Sequence, residues 1–396
     1  MKNKFLDKYD LNTPCFIIDE KEFRHNIECF HKKLVAKFSN YIIGYSFKTN
    51  SLPRIIKLAK DLKCYAEVVS EDEFELAKKI GFPHKRIIYN GPIKTKNSFI
   101  EAVEKGSIVN IDSQREIEWL DEIRTSTRPS VGIRVNFDLE SRVPGQTSTG
   151  NSGGRFGFCY ENGELKRAIS SIQKKTEIKC LHMHVSNASK SVNVYRELAL
   201  MVCRIVKEEK LELQYIDFGG GYFGGGDDGE AYEKYVEVIQ EVLQTNNLDN
   251  ICVIVEPGAS VVATAVSYLT KVVDVKNTTY GRFVFTDGTR LDIDPFMRKK
   301  TYVYEILGTK AAVFGQQIIC GYTCMENDRI MLLNNEIELL PGDRVEYKIV
   351  GSYTMGFSNL FINYLPNVYS NVGGNYILVR ERWGVDEFIR KNRWEL

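Results

Sequence analysis

Four features that could do chemistry lie at the ends of short apolar runs in this sequence. Lys48 ends the run at 41–47, where a lysine amine at a buried strand end can act as a Schiff-base nucleophile. Glu256 ends the run at 251–255, and a carboxylate buried there requires a cationic partner. The glycine triplet at 219–221 lets backbone N–H groups approach an anion closely, and His184 offers a flat ring.

Each feature has a simpler structural explanation when it is taken alone. A strand-end lysine usually extends to solvent, a glycine triplet forms a turn, a buried glutamate pairs with a nearby base, and a single histidine packs in a core. Their agreement favours one cofactor, pyridoxal 5'-phosphate (PLP). Lys48 would bind the aldehyde, the glycines the phosphate, His184 the ring face and Glu256 the pyridine nitrogen.

The elements that must position these residues alternate regularly along the first two thirds of the chain. Helix-like segments separate most of the runs, for example 70–80, where Glu73 follows Ser70 as in a capping box. Eight successive runs favour a (β/α)8 TIM barrel over a doubly wound open sheet, and a TIM barrel places its chemistry at the carboxyl ends of its strands. The eight runs are 41–47, 65–69, 86–89, 108–111, 131–135, 178–185, 215–218 and 251–255.

The pattern changes to strands and turns after residue 262. Predicted strands cover 262–275, 282–286, 311–319, 329–333 and 344–350, with turns at 334–335 and 341–343. We therefore predict a PLP-binding barrel over 20–262 and a mostly β domain formed by 1–19 together with 263–396. The Gly- and Ser-rich loop 143–157 is either an active-site flap or a disordered excursion.

Composition narrows the class of protein. The chain has 396 residues, 43% of them hydrophobic, and a formal net charge of +1, which argues against nucleic-acid and membrane partners. The N-terminus shows no long apolar stretch, so no signal peptide is predicted. Nine cysteines without tight metal spacing predict reduced thiols, no metal site and a cytoplasmic location.

The motifs together resemble those of the fold-type III PLP-dependent decarboxylases, which include ornithine, arginine and diaminopimelate decarboxylases. The resemblance extends from residue 13 to residue 361. It is carried by YSFKTN at 45–50, EVVSEDE at 67–73, RVN at 134–136, RFG at 155–157, GYTC at 321–324 and GSYT at 351–354. It implies an alanine racemase-like fold, in which a (β/α)8 TIM barrel is followed by a C-terminal β-sandwich or β-barrel domain.

The resemblance also implies roles for individual residues. Lys48 would carry PLP as a Schiff base, with His184 on the ring, and Cys324 would reach the site of a second copy as the proton donor to Cα. The protein would thus be a homodimer with shared active sites that acts on a small amino-acid-derived substrate. The implied cofactor-binding set is Lys48, Glu67, Arg134, His184, Asn187, Gly219, Gly220, Gly221, Glu256, Gly258 and Tyr353.

Three departures from the family pattern matter. One is HVSN at 184–187, where the family has His-Val-Gly-Ser. The other two bear on phosphate binding and on the substrate. Ala259 stands where the family has a phosphate-binding arginine, and Met325 stands where an acid usually reads the distal end of the substrate. Because burying a free ammonium without an anion is costly, Met325 favours a distally acylated diamino acid such as N-citryl-ornithine in siderophore biosynthesis. Arg290 or Arg298 would then pair with its carboxylates, beside the aromatic Phe361. Alternatively, Glu326 replaces the missing acid, and the substrate is free diaminopimelate, ornithine or lysine.

Three rival functions fit part of the pattern. An amino-acid racemase shares the barrel and the lysine but places an arginine at the ring nitrogen, so Glu256 argues against it. A non-catalytic regulatory homologue can lose cofactor residues, as Ala259 illustrates, but Lys48, His184 and Cys324 are retained. A one-domain PLP-homeostasis protein would lack the predicted β domain.

Overall fold

The computed structural model describes residues 7–126, 128–185, 187–226, 229–308, 312–357 and 360–394. The chain forms two compact units. One runs from Arg24 to Val261, and the other combines the segment that ends at Phe23 with the chain from Val262 onward. Among the described residues, no helix has the length and the apolar character needed to cross a bilayer.

The first unit is a closed parallel barrel. Its eight barrel strands follow one another around the ring in chain order, and the pairing of β10 with β2 joins the last to the first. The short strand β7 (Phe158–Cys159) pairs beside β6. The predicted (β/α)8 barrel is thereby confirmed. The barrel strands are β2 (Tyr41–Ser46), β3 (Tyr65–Val68), β4 (Ile87–Tyr89), β5 (Ile108–Ile111), β6 (Ser130–Asn136), β8 (Glu177–His182), β9 (Tyr215–Asp217) and β10 (Cys252–Val255).

Helices connect these strands, and their ends follow local sequence signals. The helix α3 begins after Ser70, whose hydroxyl accepts the Glu73 N–H at 3.2 Å, and it stops at Gly81, which has a φ of 90°. The helices, in order, are α1 (Glu20–Val35), α2 (Pro53–Asp61), α3 (Glu71–Ile80), α4 (Lys96–Glu104), α5 (Gln114–Trp119), α6 (Glu164–Gln173), α7 (Val192–Glu209), α8 (Glu230–Thr245) and α9 (Ala259–Val262).

Two glycines make room for polar side chains inside the barrel. A Cβ on Gly132 would lie 1.8 Å from Asn110 Oδ1, on the neighbouring strand. A Cβ on Gly44 would lie 2.9 Å from the Ile88 side chain and 3.5 Å from the Glu67 Cβ. Because protein interiors are close-packed, a larger residue at Gly132 would displace the Asn110 amide, and one at Gly44 would displace the Ile88 side chain, which packs beside Glu67.

The second unit is a β-sheet domain built around β1. Its main sheet has the order β15-β14-β12-β11-β1-β17-β18, and β16 pairs with both β11 and β13. β1 lies antiparallel to β11 and parallel to β17. Its elements are β1 (Cys15–Asp19), β11 (Val266–Thr278), β12 (Gly281–Thr286), α10 (Arg290–Ile293), β13 (Tyr304–Leu307), β14 (Val313–Cys320), β15 (Arg329–Ile337), β16 (Arg344–Tyr347), β17 (Asn367–Val372), β18 (Asn375–Arg380) and α11 (Val385–Ile389).

The β domain departs from the sequence prediction in several places. The predicted turn at 334–335 is wrong, because β15 continues through it to Ile337 with Asn335 at a φ of 52°. The strands β13, β17 and β18 were not predicted. The predicted strand at 311–319 starts at Ala311, which lies outside the described residues, and the observed strand is Val313–Cys320.

Candidate active site

Lys48 lies in a single 3-10 turn, Phe47–Thr49, directly after β2. The buried rings of Tyr45 and Phe47 anchor this turn, and the Tyr45 hydroxyl donates to the Asn50 carbonyl at 2.9 Å. The Lys48 side chain is 33% exposed, and its Nζ donates to Glu67 Oε2 at 2.8 Å. The amine is therefore held at the carboxyl end of the barrel strands but stays accessible, as covalent attachment of a cofactor requires.

Glu67, at the end of β3, is an ionised carboxylate. Its Oε2 accepts from Ser46 Oγ at 2.6 Å as well as from Lys48, and its Oε1 accepts from Asn90 Nδ2 at 3.1 Å. Burial acts to raise the pKa of Glu67, but the Lys48 charge and these hydrogen bonds outweigh it and leave the pKa below its usual value. Lys48 thus has a fixed counter-ion.

Glu256, directly after β10, has a pKa that is shifted in the opposite direction from that of Glu67. Its Oε1 accepts from Asn90 Nδ2 at 2.6 Å, and its Oε2 lies 3.8 Å from His182 Nε2. Burial, together with the charges of Asp217 and Glu67, raises the pKa of Glu256 well above its usual range. Burial therefore favours the neutral form of this carboxyl, and a cation close to it would favour the anion.

Asp217, at the end of β9, shares a hydrogen bond with Glu256. Burial raises the pKa of Asp217 to about 7, although its bonds to Glu256 and to the Gly219 N–H act in the opposite direction. Its Oδ1 accepts from the Gly219 N–H at 2.9 Å, and its Oδ2 accepts from Asn110 Nδ2 at 3.4 Å. Asp217, Glu256 and His182 bring possible metal-ligand atoms within 4.8 Å of one another. Both Asp217 oxygens accept N–H bonds, whereas both His182 nitrogens are buried without a hydrogen-bond partner among the described residues, so the absence of a metal site stays a prediction.

His184 presents a neutral ring to the site. Burial, reinforced by the charges of Lys48 and Arg134, lowers the pKa of His184 well below its usual range. Its Nδ1 accepts the Gly220 N–H at 3.0 Å, which assigns the ring proton to Nε2. A Cβ on Gly219 would lie 2.4 Å from the same Nδ1, so only glycine allows this packing. A neutral, fixed, planar ring suits stacking against an aromatic cofactor.

The glycine loop divides its N–H groups between the protein and a possible ligand. Gly219 and Gly220 donate to Asp217 and His184, as described above. Gly221, at a φ of 101°, has an N–H without an acceptor among the described residues. Gly258 lies so close to Thr49 that a Cβ would be 2.1 Å from the threonine hydroxyl. Of the predicted triplet, Gly221 is therefore the residue whose N–H can bind a phosphate.

Arg134 and Asn187, which were also predicted to contact the cofactor, form hydrogen bonds within the barrel unit. Arg134 pairs with Asp112 at 3.2 Å and donates to the His184 carbonyl at 3.3 Å, so its guanidinium supports the histidine from behind. Asn187 Nδ2 donates to the Ser191 carbonyl, and Asn187 Oδ1 accepts the Ser191 N–H, both at 3.2 Å. The amide therefore stabilises its own loop and is committed to it, whereas the buried Arg134 Nε–H has no acceptor among the described residues.

The loop 143–157 is packed against the loop that carries Asn187. The Ala188 N–H donates to the Gln146 carbonyl at 3.0 Å, and Thr147 forms a β-bridge with Asn187. At its far end, the Gly157 N–H donates to Asp112 Oδ1 at 3.1 Å. These contacts hold the loop beside the carboxyl ends of β6 and β8, which favours a flap over a disordered excursion.

The remaining predicted residues belong to the β unit. Cys324 is exposed in a loop that Asp328 anchors, since Asp328 Oδ2 accepts from the Thr323 hydroxyl at 2.7 Å. Arg290 is committed to Asp294 at 2.9 Å and to the Lys299 carbonyl at 2.6 Å. The others are partly or fully exposed: Met325, Glu326 (99% exposed, 3.6 Å from Arg329), Tyr353 and Phe361.

Sequence reasoning missed the amides and one acid of the site. Asn90 follows β4, Asn110 lies in β5 and Asp217 ends β9, and all three are buried. Their positions could have indicated them, because each follows or lies within a predicted apolar run. A polar residue buried there needs a hydrogen-bond partner. Asp217 was visible at the end of the seventh run but received no role.

Together, these residues indicate a class of protein. An accessible lysine with a fixed counter-ion, a neutral ring and a free glycine N–H surround one space. A buried carboxyl that ionises only beside a cation completes the set. The set fits PLP, which offers an aldehyde, a flat ring, a phosphate and a basic pyridine nitrogen. The fold and site therefore fit a barrel enzyme that uses PLP, and the attachment of PLP to Lys48 stays a prediction.

Comparison with known proteins leads to the same class. Residues 24–263 match the family model "Pyridoxal-dependent decarboxylase, pyridoxal binding domain". The chain is 25% identical over 389 residues to a diaminopimelate decarboxylase of Aquifex aeolicus, with 95% of this chain and 91% of that protein covered. It is 28% identical over 401 residues to a probable chloroplastic diaminopimelate decarboxylase of Oryza sativa, covering 96% of this chain and 79% of the relative.

A solved structure extends the similarity to the whole fold. The crystal structure of diaminopimelate decarboxylase from M. jannaschii aligns with a TM-score of 0.85 at 23% identity, covering 97% of this chain and 93% of that one. The chain belongs to the pyridoxal-dependent decarboxylase family. It is a PLP-dependent carboxy-lyase with the alanine racemase-like fold that the sequence motifs predicted.

Proposed function

We propose that this protein removes the α-carboxylate of a free diamino acid as CO2, with diaminopimelate as the first candidate substrate. Support comes from relatives that bear the name diaminopimelate decarboxylase and that match nearly the full chain. The observation that carries the decarboxylase chemistry is Glu256. Its buried carboxyl becomes an anion only opposite a cation, which is what a protonated pyridine nitrogen supplies.

The site residues of the barrel unit have distinct roles in the proposed reaction. PLP, when bound, withdraws the electron pair that remains on Cα after CO2 leaves. Lys48 holds the cofactor through its amine and exchanges with the substrate amine, while Glu67 stabilises the ammonium form of Lys48. His184 supports the ring face. Gly221 and Gly258 offer backbone N–H groups to the phosphate.

The missing phosphate arginine shifts the phosphate contacts toward the backbone. Ala259 brings no charge, and Arg134 and Asn187 are engaged elsewhere. Tyr353, which is 41% exposed at a φ of 55°, is the remaining side chain proposed for the phosphate. We therefore expect weaker phosphate binding than an arginine would provide.

The reaction also needs a proton on Cα, and we propose that Cys324 of a second copy donates it. The exposed thiol stands on a loop that Asp328 fixes through two further bonds, from Thr289 Oγ1 at 2.9 Å and the Arg290 N–H at 2.8 Å. A homodimer with shared active sites follows from this assignment. The chain's own resemblance to the family suggests the arrangement.

The acylated substrate N-citryl-ornithine remains a second candidate because of one observation. The conjugate has no free distal ammonium and therefore needs no anion at this position, and Met325 offers none. Two other observations favour the free diamino acid. Arg290 is already paired with Asp294, and the 99% exposed Glu326 carboxylate, whose ion-pair partner Arg329 lies 3.6 Å away, can meet an ammonium from solvent. Phe361 would line the same region.

A substrate series tests the proposal. CO2 release and kcat/KM would be measured for meso-diaminopimelate, ornithine, lysine and N-citryl-ornithine, with Lys48→Ala as the inactive control. We expect the highest kcat/KM with a free diamino acid, and a Glu326→Gln variant should raise KM for it. Preference for the citryl conjugate would reject the free substrate, and no CO2 from any of the four would reject the decarboxylation of diamino acids.

A further inference from the structure

Two buried amides, Asn90 and Asn110, connect the three acids of the site. Asn90 Nδ2 donates one hydrogen to Glu67 Oε1 at 3.1 Å and the other to Glu256 Oε1 at 2.6 Å. Its Oδ1 accepts from Asn110 Nδ2 at 2.8 Å, and that nitrogen also faces Asp217 Oδ2 at 3.4 Å. One chain of hydrogen bonds therefore runs from Lys48 through Glu67 and both amides to Asp217 and Glu256.

Hydrogen bonding to the two glutamates assigns the orientation of Asn90, and the orientation of Asn110 follows from its bond to Asn90, with Asn110 Oδ1 buried and without a partner among the described residues. A flipped Asn90 would point its oxygen at two carboxyl oxygens, and a flipped Asn110 would point its oxygen at Asn90 Oδ1. Gly132 leaves the space into which Asn110 fits, since a Cβ there would lie 1.8 Å from Asn110 Oδ1. The Lys94 ammonium donates to the Asn110 carbonyl and to the Gly91 carbonyl, both at 2.9 Å, and so holds the two backbones.

We propose that Asn90 and Asn110 are positioning residues that divide charge among the buried acids, so that Glu67 is always the anion and Asp217 and Glu256 share one proton. An amide N–H can only donate, so the Glu67 and Glu256 oxygens that face Asn90 must both be acceptors. Both Glu67 oxygens then accept bonds, and one of these bonds comes from the Lys48 ammonium, which stabilises the anionic form of Glu67. No cation pairs with Asp217 or Glu256 in this way among the described residues, so the proton is favoured on their side of the bridge.

The charged and titratable groups around the acids support this division. They are Lys48 after β2, Glu73 on α3, Cys180 and His182 on β8, and Tyr222 after the glycine loop. Burial keeps Cys180 and Tyr222 in their neutral forms by raising their pKa values, and it keeps His182 neutral by lowering its pKa. Among these described groups, Lys48 is the cation, and its charge is already committed to Glu67.

The bridge has a functional consequence that rests on the proposed function. Glu256 is kept as a neutral acid that a cation can convert to an anion, while Glu67 stays ionised for Lys48. A cofactor with a basic ring nitrogen would therefore lie near the Glu256 carboxyl, which would become an anion when that nitrogen is protonated. Without the bridge, the two glutamates would compete for the same proton, and the lysine would lose part of its counter-ion.

Removing the bridge should shift a titration that can be observed without the cofactor. The full-length, cofactor-free protein would be titrated by infrared spectroscopy, following the band of protonated buried carboxyl groups, with Glu256→Gln to assign it. Asn90→Leu removes two donors to carboxyl groups, so we expect the pH midpoint to rise by about one to two units. Asn90→Ser, which keeps one donor and is small enough to fit, should give a smaller rise.

The matched control is Asn136→Leu. Asn136 also ends a barrel strand, but its amide donates to the Gly154 carbonyl and to no acid, so the midpoint should stay unchanged. A midpoint unchanged in both folded Asn90 variants would overturn the proposal, as would an equal rise in the Asn136 variant. PLP binding, measured by absorbance, separates the two claims, because failure to bind PLP rejects the proposed function and leaves the carboxyl titration intact.

Discussion

Lys48 and Glu256 lie at opposite ends of one buried hydrogen-bond path, and they differ in charge: Lys48 is paired with the Glu67 carboxylate, whereas burial favours the neutral form of Glu256. Sequence alone identified both, because a charged residue that ends an apolar run is conspicuous. It did not identify Asn90 or Asn110. An asparagine in such a run carries no charge, and its partners depend on which strands become neighbours around the ring. Glu67 was predicted as a cofactor residue, whereas its pairing with Lys48 emerged from the fold.

Replacing Lys48 tests the attachment of the cofactor. Lys48→Ala should abolish the visible absorbance of protein-bound PLP and lower decarboxylation by about a thousandfold or more, because no other amine replaces the nucleophile. Borohydride reduction followed by mass spectrometry would detect the covalent adduct. Lys57→Ala is the control, since Lys57 pairs with Asp61 on the outer face of α2. A wild-type spectrum in Lys48→Ala would contradict the assignment.

The raised pKa of Asp217 predicts how stability depends on pH in the cofactor-free protein. Its usual value of 3.8 rises to about 7 on folding, so the folded state holds a proton that the unfolded state has released. The stabilisation is complete below the unfolded value and is lost as the pH rises through about 7. One proton changes the free energy of unfolding by about 1.4 kcal/mol per pH unit in that window.

Urea denaturation of the cofactor-free protein between about pH 5 and about pH 9 would measure this dependence. Asp217→Asn is the matched variant, because it nearly preserves shape but cannot titrate. It should reduce the slope across the window, while Glu73, whose pKa burial also raises to about 7, retains part of the dependence. A curve of the same slope in Asp217→Asn would show that another group carries the dependence.

The glycine loop after β9 acts as one element. Its first two N–H groups orient an acid and an imidazole, and only its third remains for a ligand. The glycine signal correctly marked the loop in the sequence, but it could not show this division of tasks. That division depends on Asp217 and His184 lying beside the loop, and those contacts form only when β8 and β9 pair.

Gly219→Ala should damage this element more than a comparable change elsewhere. Gly219 has a φ of 66°, and a new Cβ would lie 2.4 Å from His184 Nδ1. Gly153 has a φ of 70° with no atom within 4 Å, so Gly153→Ala carries a similar backbone strain of about 1–2 kcal/mol without the clash. We expect PLP affinity to fall more than about tenfold in Gly219→Ala alone. Equal losses in both variants would mean that backbone strain, and not the histidine, governs binding.

At the scale of the whole molecule, the barrel was more predictable than the β domain. Barrel strands appear as continuous apolar runs because both faces are buried, and their observed ends fall within a few residues of the predicted ones. In the β domain, β13 and β18 are only partly buried, so their sequences carry a weaker pattern. β15 passes through Asn334 and Asn335, which resemble a turn locally, because pairing with β14 outweighs that preference.

Shared active sites can be tested by mixing two defective chains. Lys48→Ala damages the barrel and Cys324→Ala damages the β domain, so a mixed dimer would contain one intact site. Random association should restore about a quarter of wild-type activity. The control mixes Lys48→Ala with Glu256→Gln, where both changes lie in the barrel and no intact site can form. If the first mixture stays as inactive as the control, the Cys324 thiol does not serve a second copy.

The position of β1 has a consequence for the order in which the protein is made. Cys15 pairs with Leu269 on one side and with Asn367 on the other, whereas the barrel occupies one continuous stretch of chain. As the chain leaves the ribosome, the barrel can close while β1 still waits for both of its neighbours. An apolar strand with two open edges is thus exposed for most of translation, which makes these first residues a natural site for chaperone protection.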